Sequence, residues 1–201
     1  MTINVVIIED NPKLKEDTLV WELKDKFGAD NVEFISKPTD AIKYIKENLD
    51  RNIIVLLDID FPDNEMNGHQ LLNEITIISK LIPVILWSGI DENKETFSDF
   101  INNHAFGFIS KTATTEEAMV RIDNAVDYLS RSVDNIIEDW IIQKNEDKDK
   151  PIFFTGNGKS YTLNEILHEI RQQTDVGKDF SKRLTTLTID LLLRKKEKLN
   201  G

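Results

Sequence analysis

The sequence contains no cysteine and only three histidines, and both shortages narrow what the protein can do. Without cysteine it can form neither a disulfide nor a thiolate metal site, a composition that fits a reducing compartment. The histidines, His69, His104 and His168, lie far apart along the chain. This spacing disfavours a histidine metal centre and a Ser-His-Asp triad, so we expect all three to be surface or packing residues.

Long apolar runs are also missing. No segment approaches the roughly 18 apolar residues that a membrane-spanning helix needs. The N-terminus has neither the basic region nor the cleavage site of a signal peptide, and we therefore expect a cytoplasmic protein. The chain of 201 residues is long enough for one domain of about 120–150 residues plus an appendage.

Basic residues are scarce relative to acidic ones, but unevenly so. The net charge of the whole chain is −11, with −15 over residues 1–149 and +4 over residues 150–201. The segment QKNEDKDKP, at 143–151, has no apolar residue and ends in proline. Such a segment is typical of a linker.

What the chain does have is a regular alternation of short apolar runs and amphipathic segments. The apolar runs predict strands at 4–9, 32–36, 53–58, 83–88 and 105–111. The amphipathic segments predict helices at 13–28, 39–49, 69–79, 92–103 and 114–143. Strands that are apolar on both faces, each followed by a helix, are typical of an α/β protein with a doubly wound, five-stranded parallel sheet.

Polar side chains stand where these predicted strands end. They are Glu9 and Asp10 after the first strand, Asp58 after the third, Ser88 after the fourth and Lys111 after the fifth. The carboxyl ends of parallel strands share one edge of a sheet, so we expect these residues to meet. Clustered carboxylates repel one another unless a cation joins them, and oxygen ligands suit Mg²⁺. A carboxylate beside Mg²⁺ can attack phosphorus, and this makes Asp58 the candidate reacting group.

Over residues 3–128 this pattern resembles the receiver domain of bacterial two-component response regulators, which has a flavodoxin-like fold. The resemblance rests on the strand-end residues just named and on four others, Pro62, Gly68, Gly89 and Phe108. Each residue alone is a weak signal, but the set in this order on these strand ends is specific.

The resemblance implies a function for each matching position. Asp58 would be the phosphoacceptor, Ser88 and Lys111 would contact the phosphoryl group, and Phe108 would be an aromatic switch. The implied Mg²⁺ ligands are the side chains of Glu9, Asp10 and Asp58 and the backbone carbonyl of Asp60. The implied donor is a sensor histidine kinase or a phosphotransfer protein, and the chain itself would not be an enzyme beyond slow autodephosphorylation.

The sequence departs from the family pattern at three places. Asp58 and Gly68 are ten residues apart, where the family usually has eight, so the loop PDNEMNG is longer and more acidic. Thr112 follows Lys111, where the family usually has proline in a cis peptide. Phe108 lacks the hydroxyl of a tyrosine, so its signal would be steric.

A phosphatase of the haloacid-dehalogenase type is a more remote alternative. Such enzymes place a D-x-D motif at the end of a buried strand, which here would be Asp58 and Asp60. That family usually has the motif on its first strand, with Thr or Val where Pro62 stands, and it does not account for Glu9 and Asp10.

The C-terminal region resembles no family that we identify. We divide the chain into a receiver domain at 1–128, an extended helix and charged linker at 129–150, and a small output module at 151–201. The module is predicted to be a hairpin turning at 156–158, a helix to about Gln173 opened by a Thr162–Glu165 capping box, and a last helix from about 179 to 199 after Gly177. Its leucines, with Phe180, are predicted to face inward: Leu184, Leu187, Leu191 and Leu192.

The output of this module is predicted to be protein–protein interaction, with DNA binding as the alternative because its charge is positive. The predicted helix at 115–143 carries apolar residues in a heptad pattern: Met119, Ile122, Val126, Leu129, Val133, Ile136 and Trp140. The second half of this seam lies beyond the receiver domain and needs covering. Either a second copy covers it in a homodimer, which we favour, or the chain's own C-terminal helices fold back onto it.

Overall fold

The computed structural model describes residues 2–61, 66–89, 105–144, 147–156 and 158–199. The chain forms two compact units, Met1–Arg131 and Ser132–Gly201, called here the first and second units. None of the helices in the described ranges is long and apolar enough to cross a membrane. The helix predicted at 92–103 lies outside the described residues.

The first unit is built on a five-stranded, fully parallel sheet in the order β2-β1-β3-β4-β5. Its strands are β1 Ile3–Ile8, β2 Val32–Ile35, β3 Asn52–Leu57, β4 Val84–Ser88 and β5 Gly107–Ser110. The predicted fold class is confirmed. The order reverses between β1 and β3, which places the carboxyl ends of both strands beside the crevice where such sheets bind their ligands.

Helices cover both faces of this sheet. They are α1 Thr18–Phe27, α2 Pro38–Glu47, α3 Gly68–Ile78 and α4 Thr115–Arg131, with short 3₁₀ helices at Pro12–Glu16 and Ala29–Asn31. Alternate residues of β1 point to opposite faces, so Val5 joins a core with α1 and α4 while Val6 joins one with α2 and α3. This two-sided burial explains why the strand sequences are continuously apolar.

The second unit combines a hairpin with three helices. Its elements are α5 Val133–Gln143, β6 Pro151–Phe154, β7 Ser160–Thr162, α6 Leu163–Arg171 and α7 Asp175–Leu199. Strands β6 and β7 are antiparallel, and the Thr162–Glu165 capping box begins α6 as predicted. Phe153 of the hairpin packs edge-on against Phe180 of α7, with ring centroids 5.3 Å apart.

The prediction of one continuous helix at 115–143 is wrong. The backbone at Ser132 is extended, with φ −68° and ψ 125°, and this residue separates α4 from α5. The break shifts the helical phase, so that Ile137 and Ile141 of α5 are buried, whereas Val133 and Ile136 are 46% and 54% exposed. The heptad seam therefore does not continue as one stripe, and α5 contacts α6 and α7 of its own unit.

The last helix also differs from its prediction. Gly177 does not precede α7 but lies within its first turn. A Cβ atom at this position would lie 2.4 Å from the carbonyl oxygen of Glu169, so the glycine lets α7 approach the end of α6 closely. Phe180 is buried as predicted, but three of the predicted inward leucines, Leu187, Leu191 and Leu192, are more than half exposed.

Candidate phosphoryl-acceptor site

The backbone hydrogen bonds of the parallel sheet continue past the strand ends and fix the positions of the candidate residues. The backbone N–H of Asp58 donates to the carbonyl of Ile8 at 2.9 Å. The N–H of Lys111 donates to the carbonyl of Ser88, also at 2.9 Å. These hydrogen bonds hold the first residue after β3 beside β1, and the first residue after β5 beside β4.

Three carboxylates meet at this edge of the sheet. Glu9, Asp10 and Asp58 each offer an oxygen within 4.8 Å of the others. Glu9 and Asp58 are almost fully buried, at 1% and 3% exposure, whereas Asp10 is partly exposed. Buried carboxylates are retained only where a cation or hydrogen bonds compensate them. An all-oxygen set that is open to solvent on one side fits Mg²⁺, which keeps part of its water shell.

Lys111 supplies a positive charge to this cluster. Its Nζ lies 2.6 Å from Oε2 of Glu9 and 3.0 Å from Oδ2 of Asp58. Burial opposes its charge, but hydrogen bonds and attraction from the two carboxylates outweigh burial, and the pKa of Lys111 is raised. The ammonium group is therefore protonated at neutral pH and stands beside the candidate reacting oxygen atoms.

Burial raises the pKa of Glu9, and the nearby charge of Asp58 adds to this effect. Hydrogen bonds from Lys111 and from the backbone N–H of Asn11, at 3.0 Å, act in the opposite direction. One Asp58 oxygen, Oδ1, accepts a hydrogen bond from the N–H of Ile59 at 2.8 Å. The two oxygens of Asp58 are thus held by different donors, which fixes the orientation of its carboxylate.

The other predicted site residues occupy different surroundings. Ser88 is fully buried at the end of β4, in register with Ser110. Phe108 is 7% exposed on β5, where it packs into the core formed with α2 and α3. Asp60 is exposed, and Pro62 lies outside the described residues, as does most of the acidic loop.

None of the peptide bonds within the described ranges is cis, so the bond between Lys111 and Thr112 is trans. The N–H of Thr112 donates to Oγ of Ser110 at 3.2 Å, and the N–H of Ala113 donates to the carbonyl of Ser110 at 2.9 Å. A proline could not donate the first of these bonds. The threonine therefore takes part in the turn that follows β5.

Gly68 has a steric function in the site. A Cβ atom there would lie 2.6 Å from Cα of Ile59, and the N–H of Gly68 donates to the carbonyl of Ile59 at 3.3 Å. The first residue of α3 therefore presses against the segment that follows Asp58. Asn67 and Gln70 form a capping box at this helix end. The pattern N-x-x-Q before an apolar run is a capping signal that our sequence analysis missed.

Trp87 is a neighbour of the site that sequence analysis did not identify. Nζ of Lys111 lies 5.8 Å from the centroid of its ring. Trp87 is 3% exposed on β4, in the core formed with α1 and α4. The strand pattern predicts that Trp87 is buried, but nothing in it pairs this ring with a lysine one strand away.

Comparison with known proteins agrees with this geometry. Residues 5–123 match the model of the response regulator receiver domain family. That match spans more than half of the chain, so the chain belongs to the response regulator receiver domain family. None of the curated protein sequences matches the chain. The family membership favours the response-regulator interpretation over the phosphatase alternative.

Solved structures show the same fold. NtrX from Brucella abortus, in complex with ATP, is 24% identical with a TM-score of 0.54, and the match covers 63% of this chain and 27% of that one. A CheY-like receiver domain protein from Methanospirillum hungatei JF-1 is 18% identical with a TM-score of 0.55, covering 66% and 100%. CheY from Borrelia burgdorferi, in a complex with CheX, BeF₃ and Mg²⁺, is 23% identical with a TM-score of 0.51, covering 62% and 89%. This chain therefore matches only about a quarter of the length of NtrX, and the C-terminal region matches no family.

Proposed function

We propose that this chain is a phosphorylation-dependent response regulator in which Asp58 accepts a phosphoryl group. The observation that carries the proposal is the meeting of Asp58 with two further carboxylates and with Nζ of Lys111, 3.0 Å from Asp58 Oδ2. The donor would be a sensor histidine kinase or a phosphotransfer protein. Because such donors draw on ATP, the exchange would take place in the cytoplasm.

In the proposed step an oxygen of Asp58 attacks the phosphorus of a phosphohistidine. The new P–O bond forms as the P–N bond breaks, and the imidazole leaves with the electron pair and takes up a proton. The side chains of Glu9, Asp10 and Asp58 and the carbonyl of Asp60 would hold Mg²⁺, and the bound ion would offset negative charge on the phosphoryl oxygens. The CheY complex that contains BeF₃ and Mg²⁺ supports such a site.

The chain's own residues complete this site. The ammonium group of Lys111 is already paired with Glu9 and Asp58, so it can turn to a phosphoryl oxygen without entering from solvent. Ser88, at the end of the neighbouring strand β4, would donate a hydrogen bond from its hydroxyl group to another phosphoryl oxygen. Phe108 lies on β5, three residues before Lys111, and would respond sterically when the lysine moves.

The second unit would carry the output through contact with another protein. Its charge supports this choice over DNA binding. The boundary at Ser132 assigns helix α5 to this unit, which then contains 12 basic and 12 acidic residues. A unit with no net positive charge lacks the electrostatic attraction to phosphates that provides most non-specific DNA affinity.

Intact-mass spectrometry tests the phosphoacceptor. The purified chain is incubated with acetyl phosphate, with and without Mg²⁺. We expect one phosphoryl adduct that requires Mg²⁺, is absent in Asp58→Ala and is retained in the matched control Asp60→Ala. An adduct that survives Asp58→Ala would contradict the assignment.

Phosphatase assays on the same three chains, the wild type, Asp58→Ala and Asp60→Ala, distinguish a receiver from a phosphatase. A receiver takes up phosphate once per chain, whereas a D-x-D phosphatase turns over p-nitrophenyl phosphate many times and needs both aspartates. Sustained turnover that is lost in both Asp58→Ala and Asp60→Ala would replace the present proposal.

A further inference from the structure

Helices α5 and α7 of the second unit leave an apolar groove between them, with a volume of about 460 Å³. Val133, Ile136 and Trp140 line it from α5, and Leu184 and Ile189 line it from α7. The three α5 side chains are 44–54% exposed, although their heptad spacing is that of residues that pack against another helix. The groove is thus an apolar surface that its own unit covers only in part.

Helix α7 continues past the body of its unit. Its 25 residues give a length of about 37 Å. The apolar stripe Phe180, Leu184, Leu187, Leu191 keeps the steps 4, 3 and 4, but only its first half packs within the unit. All side chains from 186 to 194 are exposed, and we call this segment the overhang. Apolar residues occupy most of its circumference, which is typical of a helix covered on more than one side.

The overhang and the groove together form a large apolar surface. Eight side chains of this kind are each about half exposed: Val133, Ile136, Trp140, Leu187, Ile189, Leu191, Leu192 and Leu193. With about half of each side chain exposed, they present several hundred Å² of apolar area, approaching the roughly 800 Å² that each partner buries in a stable interface. Monomeric proteins rarely leave a patch of this size uncovered.

Charge favours a second copy as the partner. The second unit has no net charge, so two copies of this unit do not repel each other as two acidic first units would. Helix α5 carries Asp134, Glu138 and Asp139 and no basic residue. Residues 186–199 have a net charge of +2. The basic residues stand at the end of the overhang and beyond it, at 194–198, so the acidic wall of one copy's groove attracts the C-terminal end of the other copy's α7.

We propose that the chain forms a two-fold symmetric dimer in which the overhang of each copy lies in the groove of the other. The two α7 helices run antiparallel, so that Leu192, one turn after the groove-lining Thr188, enters the partner copy's groove beside Ile136. Each copy offers one overhang and one groove. A two-fold axis fills both at once and leaves no open end, as an isologous interface requires.

Light scattering with the full-length chain tests this dimer. We expect the wild type to be a dimer at tens of micromolar. In the double variant Leu187→Asp, Leu191→Asp the dissociation constant of the dimer should rise about 100-fold or more. These side chains are exposed, so the substitutions leave the fold of the monomer intact. The control Ile77→Asp alters an equally exposed residue of the first unit, at 57% exposure, and should remain dimeric. A monomeric wild type would overturn the proposal, and so would a dimer that persists in the double variant.

Disulfide trapping tests the arrangement, because the chain has no cysteine of its own. An Ile136→Cys chain is mixed with a Leu192→Cys chain that carries a distinguishing tag, and both are oxidised mildly. We expect a disulfide between the two different chains and little within either type alone. Coupling only between two Leu192→Cys chains would overturn the exchange of overhangs, as would coupling no stronger than that of an Ile77→Cys control.

Discussion

At the scale of single residues, the second unit contains an ion pair that the sequence does not reveal. Nε of Arg171 lies 2.6 Å from Oε1 of Glu138, and both side chains are only about 15% exposed. Burial raises the pKa of Glu138, while the charge and hydrogen bond of Arg171 oppose that rise. The two residues are 33 positions apart in the chain, and no local pattern pairs them.

We predict that Arg171→Met destabilises the second unit by about 3 kcal/mol at pH 7, because it leaves a buried carboxylate without its partner. The loss should be smaller near pH 4. Without Arg171, burial raises the pKa of Glu138 with less opposition, so in acid the variant holds this carboxyl group protonated and uncharged. A carboxyl group whose pKa is raised by folding contributes stability below its unfolded pKa, and that contribution is lost as the pH rises through its folded pKa. Thermal unfolding of wild type and variant at both values measures the difference.

Arg183→Met is the matched control for this prediction. Arg183 pairs with Asp179 at 2.8 Å, but the two side chains are 58% and 42% exposed. An exposed pair is worth less than about 1 kcal/mol, so this variant should unfold near the wild-type temperature at both pH values. Equal losses in the two variants would show that burial does not distinguish the pairs.

The candidate site was the most predictable part of the molecule at this scale. Glu9, Asp10, Asp58 and Lys111 were placed together because each ends a strand, and parallel strands end at one edge. The pairing of Lys111 with Glu9 as well as Asp58 was not predictable. Strand order gives proximity, but side-chain hydrogen bonds depend on rotamers that the pattern does not encode.

At the scale of elements, prediction succeeded where an element buries both faces and failed where it depends on later parts of the chain. The apolar runs of β1 and β3 predict their burial directly. The seam from Met119 to Trp140 predicts one helix because apolar spacing alone does not register the extended backbone of Ser132. Which residues of α5 are buried depends on α6 and α7, which follow much later in the sequence.

Gly177 shows the same limit in a single helix. Glycine normally lowers helix stability by about 1 kcal/mol relative to alanine, so the sequence predicts a helix boundary there. The structure instead places the helix backbone against the carbonyl of Glu169, where only a residue without Cβ fits. Close packing between two helices outweighs intrinsic propensity at this position.

We predict that Gly177→Ala destabilises the second unit by about 1–3 kcal/mol, because the new methyl group overlaps backbone atoms that have little freedom to move. Chemical denaturation followed by circular dichroism measures the change. Gly156→Ala is the control, since no atom lies within 4 Å of a Cβ at that position. A stabilising Gly177→Ala would mean that helix propensity decides the outcome and that the helices move apart at little cost.

At the scale of the whole molecule, the two units differ in electrical character. The first unit holds the whole net charge of −11, and the second is neutral. The division at Ser132 makes this contrast smaller than the boundary predicted from sequence, which separates −15 from +4, because α5 brings acidic residues to the basic C-terminal segment. The acidic first units repel each other, whereas the neutral second units can approach without net repulsion, which agrees with a dimer held by its C-terminal helices.

The two sheets also differ in how far apart in the chain their paired strands lie. In the first unit β1 must find β3 some fifty residues later, across an intervening strand and two helices. In the second unit β6 pairs with β7 after a short turn, and α6 packs on the helix that follows it. Contacts between distant residues cost more loop-closure entropy before they contribute stabilising interactions, so topologies of low contact order fold faster.

During refolding we therefore expect the second unit to regain its structure before the strands of the first unit have paired. The tryptophans allow this to be observed, because Trp140 reports on the second unit and Trp21 and Trp87 report on the first. In stopped-flow refolding, a Trp21→Phe, Trp87→Phe chain should recover its fluorescence earlier than a Trp140→Phe chain. Identical time courses would mean that the two units fold as one cooperative body.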